Sequence, residues 1–317
     1  MFVVCGEALW DLFAVEGEGL RFDARPGGSP FNVAIGLARL DIPVAFFGGF
    51  STGSLGGRLR ALLRSEGVDT GMAVLSDRLT TLSLIELGQG GLPEYAFYGE
   101  GAADRAVETG DLPDLEGAWG VHFGSFSLMA EPVGSALLAL ARREAGRRLV
   151  TLDPNVRMAV EPDPARWRDR IEAFLATSDL AKVSAEDLSL LYPREHVSVV
   201  AQRWLAVGPA LVVVTRGADG AEAHGRFGHV AIGGQQVVEA DTVGAGDSFM
   251  AALIAWLAGQ DITGRDGIAC LSRADGEALL AFATAAAAIT CSRRGADLPR
   301  RAELETPGRA SPQEAGR

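Results

Sequence analysis

Lysine is almost missing from this chain: of 29 basic residues, Lys182 is the only one. That excludes a P-loop, because Lys182 is followed by Val183 and no Gly-Lys-Ser/Thr core exists. Any use of a nucleotide must come from another fold. Cysteine is scarce as well. Cys5, Cys270 and Cys291 form no Cys-x-x-Cys pair, which argues against a zinc centre or a disulfide framework and makes a reducing cytoplasm the expected home. The four histidines (His122, His196, His224 and His229) show no ligand spacing, so no histidine metal centre is expected. Long apolar runs are lacking: the longest, 278–291, is Ala-rich and too short to span a bilayer. The first residues also lack the basic stretch of a targeting segment, so no membrane partner is expected. Positive charge is in deficit, with 41 acids against 29 bases and a net charge of −12. That speaks against a nucleic-acid surface, but not against a locally positive site for a small anion.

What is present suits a soluble globular protein with a sizeable core: 317 residues, 48% hydrophobic and 22% charged. Short apolar runs at 2–5, 44–50, 120–123, 149–152, 180–183 and 211–214 read as buried strands. Helical periodicity appears at 32–40, 55–66, 133–145, 167–176, 197–206, 248–258 and 277–291. Alternating strands and helices predict an α/β fold, a three-layer sandwich with a mostly parallel central sheet and helices on both faces. Ligands of such sheets bind beyond the carboxyl ends of the strands. Two segments, 12–25 and 78–100, break the rhythm, and 81–87 with 94–98 reads as a hairpin. They predict a small β-sheet lid on one domain spanning 1–300. The tail, 301–317, is rich in Pro, Gly, Ala and charge and is expected to be disordered.

The run Asp241-Thr-Val-Gly-Ala-Gly-Asp247 leads into a helix carrying Phe249, Met250, Leu253, Ile254 and Leu257. Backbone N–H groups at a helix start lack intrahelical partners and sit at the positive dipole end. Gly244, Ala245 and Gly246 leave room for a phosphate to reach them. A carboxylate beside an anion cradle makes sense as a base taking a proton from an attacking hydroxyl, which casts Asp247 in that role. An ordinary helix cap accounts for Gly-Ala-Gly-Asp equally well when it is taken alone. Pro26-Gly-Gly-Ser-Pro-Phe-Asn32 is a second glycine-rich turn before a helix, where Asn32 offers a donor and an acceptor to vicinal hydroxyls. Asp11 follows a strand and is suited to accept two hydroxyls, or is a solvated turn acid. Arg157, closing Asp153-Pro-Asn-Val-Arg157, is suited to clamp an anion. Lys182 lies just past a strand with Glu186 and Asp187 behind it, a set that balances phosphate charge and holds Mg²⁺ through water, or a helix capped by Ser184. Thr215-Arg-Gly217 with Gly220 follows a valine-rich strand and suits a phosphate or an adenine, or is only a turn.

In this order the pieces resemble the PfkB sugar-kinase family of the ribokinase-like superfamily. Gly27-Gly-Ser-Pro-Phe-Asn32 is similar to its N-terminal signature, and Asp241-Thr-Val-Gly-Ala-Gly-Asp247 to its C-terminal one. Gly6-Glu-Ala-Leu-Trp-Asp11, Asp153-Pro-Asn-Val-Arg157, Lys182-Val-Ser184 and Tyr95-Ala-Phe-Tyr98 are most similar to fructokinases. The resemblance implies an ATP-dependent phosphotransferase acting on a primary hydroxyl, with D-fructose the first substrate expected. It implies Asp247 as catalytic base and Gly244, Ala245 and Gly246 as the anion hole. Sugar contacts are implied for Asp11, Gly28, Asn32, Arg157 and Tyr98, with Arg105 the candidate second cation for an acidic sugar. ATP contacts are implied for Lys182, Thr215, Gly217, Gly220 and Thr284, the last standing where the family often has Asn. The family's Asn-x-x-Glu, related to Mg²⁺, appears as Ser184-x-x-Asp187, so Asp187 with Glu186 is the expected metal set, and Asp241 the expected aid to a K⁺ ion. A lid shared in a homodimer is also implied. The alternatives are 2-keto-3-deoxygluconate, ribose, another ketose or a nucleoside as substrate, and a non-catalytic sensor of sugar or nucleotide. A dinucleotide oxidoreductase is disfavoured, since no Gly-x-Gly-x-x-Gly follows the first strand.

Overall fold

A computed structural model describes residues 1–15, 19–87 and 93–305. The central sheet is built from β1 (Phe2–Cys5), β4 (Val44–Phe47), β9 (Gly120–Gly124), β10 (Leu149–Asp153), β11 (Leu180–Ser184), β12 (Leu211–Thr215), β13 (Ala221–Gly225) and β14 (Gly228–Ile232). Their order is β14-β13-β12-β11-β10-β9-β1-β4. The run from β12 to β4 is parallel, while β13 and β14 close one edge as an antiparallel hairpin. A parallel strand is covered on both faces and so reads as an unbroken apolar run. In β1, Phe2 and Val4 enter one core, and Val3 and Cys5 the other.

One helical layer holds α1 (Ser29–Arg39), α2 (Ser54–Ser65), α7 (Ala245–Gly259), α8 (Arg265–Ala269) and α9 (Arg273–Cys291). The opposite layer holds α3 (Val133–Glu144), α4 (Pro164–Leu175), α5 (Ala185–Leu191) and α6 (Val197–Val207). The three-layer α/β architecture expected from the pattern is the one observed. Helix α7 is not a one-sided amphipathic helix as its spacing suggested. Phe249 through Ala255 are all buried, because α1, α9 and the sheet surround it. Helix α9 starts earlier than its apolar run, at a capping box in which Ser272 and Asp275 satisfy each other's backbone N–H groups. Its 19 residues are long and apolar enough to cross a membrane, but Leu279, Leu280, Ala283 and Ala286 sit in the core beside α7.

The lid is a separate four-stranded sheet. Its strands β2 (Leu9–Val15), β3 (Arg21–Gly27), β7 (Leu82–Leu87) and β8 (Pro93–Tyr98) lie in the order β3-β2-β7-β8. It begins three residues earlier than expected, so Asp11 stands on a lid strand opposite Arg25 rather than in a turn. The apolar run 44–50 divides at Gly48. There the chain leaves the central sheet, and β5 (Gly49–Ser51) pairs instead with β6 (Val74–Ser76). The tail differs from expectation at its start: α10 (Arg301–Glu305) is helical, with Arg301 donating to the Leu40 carbonyl. The expected disorder beyond it falls on 306–317, outside the described residues.

Candidate active site

Between lid and sheet lies a cavity of about 990 Å³. It opens beyond the carboxyl ends of β10, β11 and β12, where this sheet class binds ligands. Asp247 is buried at the start of α7, inside that cavity. Its Oδ1 accepts from Ser29 Oγ at 2.6 Å, and its Oδ2 from Asn32 Nδ2 at 2.8 Å. Both donors stand in the first turn of α1, so the two glycine-rich turns meet face to face. Burial raises the Asp247 carboxyl above its ordinary range, while Ser29, Asn32 and Lys182 pull it back. The result is a carboxylate fixed in orientation and made more basic.

The turn before it is shaped by backbone. Gly244 sits in the left-handed region at φ 80°, and a Cβ there would lie 2.7 Å from that of Ala296. The Ala245 N–H donates to the Thr242 carbonyl, and the Ser248 N–H to that of Gly244. Gly246 and Asp247 follow directly within the first turn, with no carbonyl four residues back inside the helix. Their amides are the ones suited to hold an anion, and Ala245 belongs to the turn before them. A Cβ on Gly246 would come 3.0 Å from Lys182 Nζ, so the one lysine lies directly against these amides. Lys182 is held by a buried ion pair with Asp153, 2.7 Å from Nζ to Oδ2. Asp241 does not line the cavity. Its Oδ1 accepts from the Val243 N–H and its Oδ2 from the Gly295 N–H, so it clasps the turn to the 293–296 loop.

At the lid end, Leu9, Asp11, Ser83, Ile85 and Phe97 face inward. Burial pushes the Asp11 carboxyl up to about 6, against the pull of Ser83 and Arg157. Gly28 has φ 106°, and a Cβ there would sit 2.7 Å from the Glu7 carbonyl. Arg157 lines the wall, its Nη1 tied to Asn155 Oδ1 at 2.6 Å. Two expected sugar contacts are not on this wall. Tyr98 is 64% exposed, because strand alternation turns Phe97 inward and its neighbour outward. Arg105 stacks over the Phe126 ring at 5.3 Å, one layer behind the cavity.

At the other end, Lys182, Glu186, Asp187, Thr215, Gly217, Gly220 and Thr284 all line the wall. Gly220 is forced by φ 97° and by the Ile232 carbonyl, which a Cβ would approach to 2.1 Å. Asp187 is pushed up to about 6 by burial and by Asp153, opposed by Arg157 and Lys182. Buried and without hydrogen-bond partners among the described residues are Thr284 Oγ1 and Asp153 Oδ1. A carboxylate set of this kind suits a hard cation such as Mg²⁺, and the unpaired Thr284 hydroxyl suits a polar ligand atom.

The sequence reasoning missed four residues of the site. Ser29 lay within a quoted motif but was not singled out, though a hydroxyl three residues before Asn32 shares its helix face. Glu7 is buried under Gly28, hydrogen-bonded by Ser127 and pushed up to about 7 by burial. Asp153 and Phe97 also lay within quoted motifs, in which only Arg157 and Tyr98 were singled out.

The family model described as pfkB family carbohydrate kinase matches residues 1–303. A fructokinase of Rhizobium leguminosarum bv. trifolii is 39% identical over 261 residues, covering 81% of this chain and 79% of that protein. The crystal structure of a Xylella fastidiosa fructokinase with bound ATP superposes with a TM-score of 0.88 at 26% identity, covering 96% of each chain. A Vibrio cholerae fructokinase with fructose, ADP and calcium ion bound gives 0.82 at 27% identity, covering 96% of this chain and 97% of that one. The chain belongs to the pfkB family of carbohydrate kinases.

Proposed function

We propose that this protein is an ATP-dependent fructokinase, transferring the γ-phosphoryl group of ATP to the 6-hydroxyl of D-fructose. The observation that carries the reading is the Asp247 carboxylate. It is buried in a lidded cavity, held at both oxygens by Ser29 and Asn32, and adjoined by first-turn amides of α7 that have no backbone partner among the described residues. Likeness to proteins named as fructokinases supports the choice of sugar.

The sugar sits at the lid end. Asp11 accepts hydroxyls there, Gly28 permits close backbone approach and Arg157 closes the far side. Asp247 takes the proton of the 6-hydroxyl as its oxygen attacks the γ-phosphorus in line, and ADP leaves. The amides of Gly246 and Asp247, with Lys182 against them, stabilise charge spread over the equatorial oxygens. Thr215, Gly217, Gly220 and Thr284 line the nucleotide end. Asp187 and Glu186 would hold Mg²⁺, whose chemistry there is neutralisation of phosphate charge. The lid keeps water from competing for the phosphoryl group. Arg157 is the only arginine we place against the sugar, since Arg105 lies behind Phe126. That favours a neutral sugar over a 2-keto acid such as 2-keto-3-deoxygluconate.

The test is the product. Protein, ATP, Mg²⁺ and fructose are incubated and the phosphorylated sugar is assigned by ³¹P and ¹³C NMR. Phosphate on carbon 6 supports the reading, whereas phosphate on carbon 1, or ADP formed without sugar phosphate, refutes it.

A further inference from the structure

Outside the cavity, the β13–β14 hairpin brings together three side chains that the linear sequence keeps apart. Glu222 and His224 are two residues apart on β13 and so share one face. His229 on β14 is the cross-strand partner of His224. The same face therefore gathers one carboxylate and two imidazoles. His224 Nε2 lies 3.2 Å from Glu222 Oε1, and His229 Nε2 lies 3.4 Å from Glu222 Oε2. All the candidate ligand atoms fall within 4.8 Å of one another. The two contacts run to different oxygens of the carboxylate, and the two imidazoles lie beside each other with ring centroids 4.7 Å apart, so all three donors face one small space.

We propose that Glu222, His224 and His229 form a binding site for one Zn²⁺ ion, with the fourth position open to solvent. Three further observations bear on it. The donors are two imidazole nitrogens and one oxygen, a set that suits Zn²⁺ and its transition-metal neighbours and disfavours Mg²⁺ and Ca²⁺. Access is provided by His229, which is half exposed where the other two are buried. Arg216 donates to Glu222 Oε2 at 2.6 Å, supplying the outer hydrogen bond that orients a ligating carboxylate. Linear spacing gave no sign of this site because its key pairing is made by strand register.

The test uses the full chain free of nucleotide, so its outcome is independent of the kinase reading. Zn²⁺ is titrated in competition with a chromophoric chelator, and Co²⁺ serves as a visible-absorption probe of imidazole coordination. Wild type should take up one equivalent of each. His229→Gln should weaken that equivalent by at least about tenfold, the usual effect of removing a ligand or its close support, and should lose the Co²⁺ absorption. Because His229 is half exposed, this variant should keep the wild-type Tm. Asp187→Asn, in the active-site cavity, should leave the equivalent in place. The proposal is overturned if wild type takes up no equivalent at 100 µM Zn²⁺, roughly the weakest occupancy worth calling a site. It is equally overturned if His229→Gln binds as wild type does, or if Asp187→Asn abolishes the equivalent.

Discussion

Replacing Asp247 by Asn removes a base while keeping its shape. Asp247 accepts from Ser29 at 2.6 Å and from Asn32 at 2.8 Å. The Asn carbonyl keeps the bond from Asn32, and its amide turns to Ser29, whose hydroxyl rotates to accept instead of donate. Both contacts survive, and the cost of burying an ionised group disappears. Tm should therefore hold or rise slightly. What is lost is a group able to take the hydroxyl proton during phosphoryl transfer. General-base loss costs about 10²–10⁴-fold in rate, or about 3–5 kcal/mol in barrier. Measured as ADP release at saturating fructose and ATP, kcat should fall within that range. The Kd for fructose, from calorimetry, should move by less than about threefold, because Asp11 and Arg157 are untouched. A correctly folded Asp247→Asn with kcat within tenfold of wild type would refute the reasoning.

Other expectations follow from the same contacts. Glu7 is buried and pushed from 4.5 up to about 7, so the folded state holds a proton that the unfolded state loses first. That contribution is full below about pH 4.5 and is lost as pH rises to about 7. Glu7→Gln should thus raise Tm by a few degrees at pH 8 and change it little at pH 4.5, read by calorimetry; the opposite trend would contradict the burial argument. Lys182→Met leaves Asp153 buried without its partner and should cost about 3–5 kcal/mol by urea denaturation. Adding Asp153→Asn should recover much of that stability without restoring kcat, and recovery of both would deny Lys182 its place at the phosphate. Gly28→Ala must bear φ 106° and a Cβ 2.7 Å from the Glu7 carbonyl. It should lose about 1–3 kcal/mol and raise KM for fructose more than KM for ATP, an order that steady-state kinetics would reveal.

Much of this was legible in the sequence because the signals were local. A parallel strand buried on both faces announces itself as an apolar run, and 120–123, 149–152 and 211–214 did so, each strand running one residue further. The hairpin β13–β14 did not. Strand β13 holds only Ala, Glu, His and Gly, and β14 has Val230 and Ile232 alone as branched apolar residues, so neither makes an apolar run. Asp247 was legible from its glycine-rich turn, yet its partner Ser29 lies 218 residues away and becomes visible only once α1 and α7 pack. The choice between Phe97 and Tyr98 depended on strand phase, which a one-residue shift reverses. Asp241 accepts from two backbone amides, one of them 54 residues away, a tie between distant loops that no local pattern announces.

The central claim is a kinase whose preferred acceptor is fructose. It is tested most directly by kcat/KM for ADP release, with ATP and Mg²⁺, across fructose, tagatose, ribose, 2-keto-3-deoxygluconate and nucleosides. Fructose should lead each of the others by at least about tenfold, or about 1.4 kcal/mol of transition-state binding. A higher value for 2-keto-3-deoxygluconate or a nucleoside would contradict it.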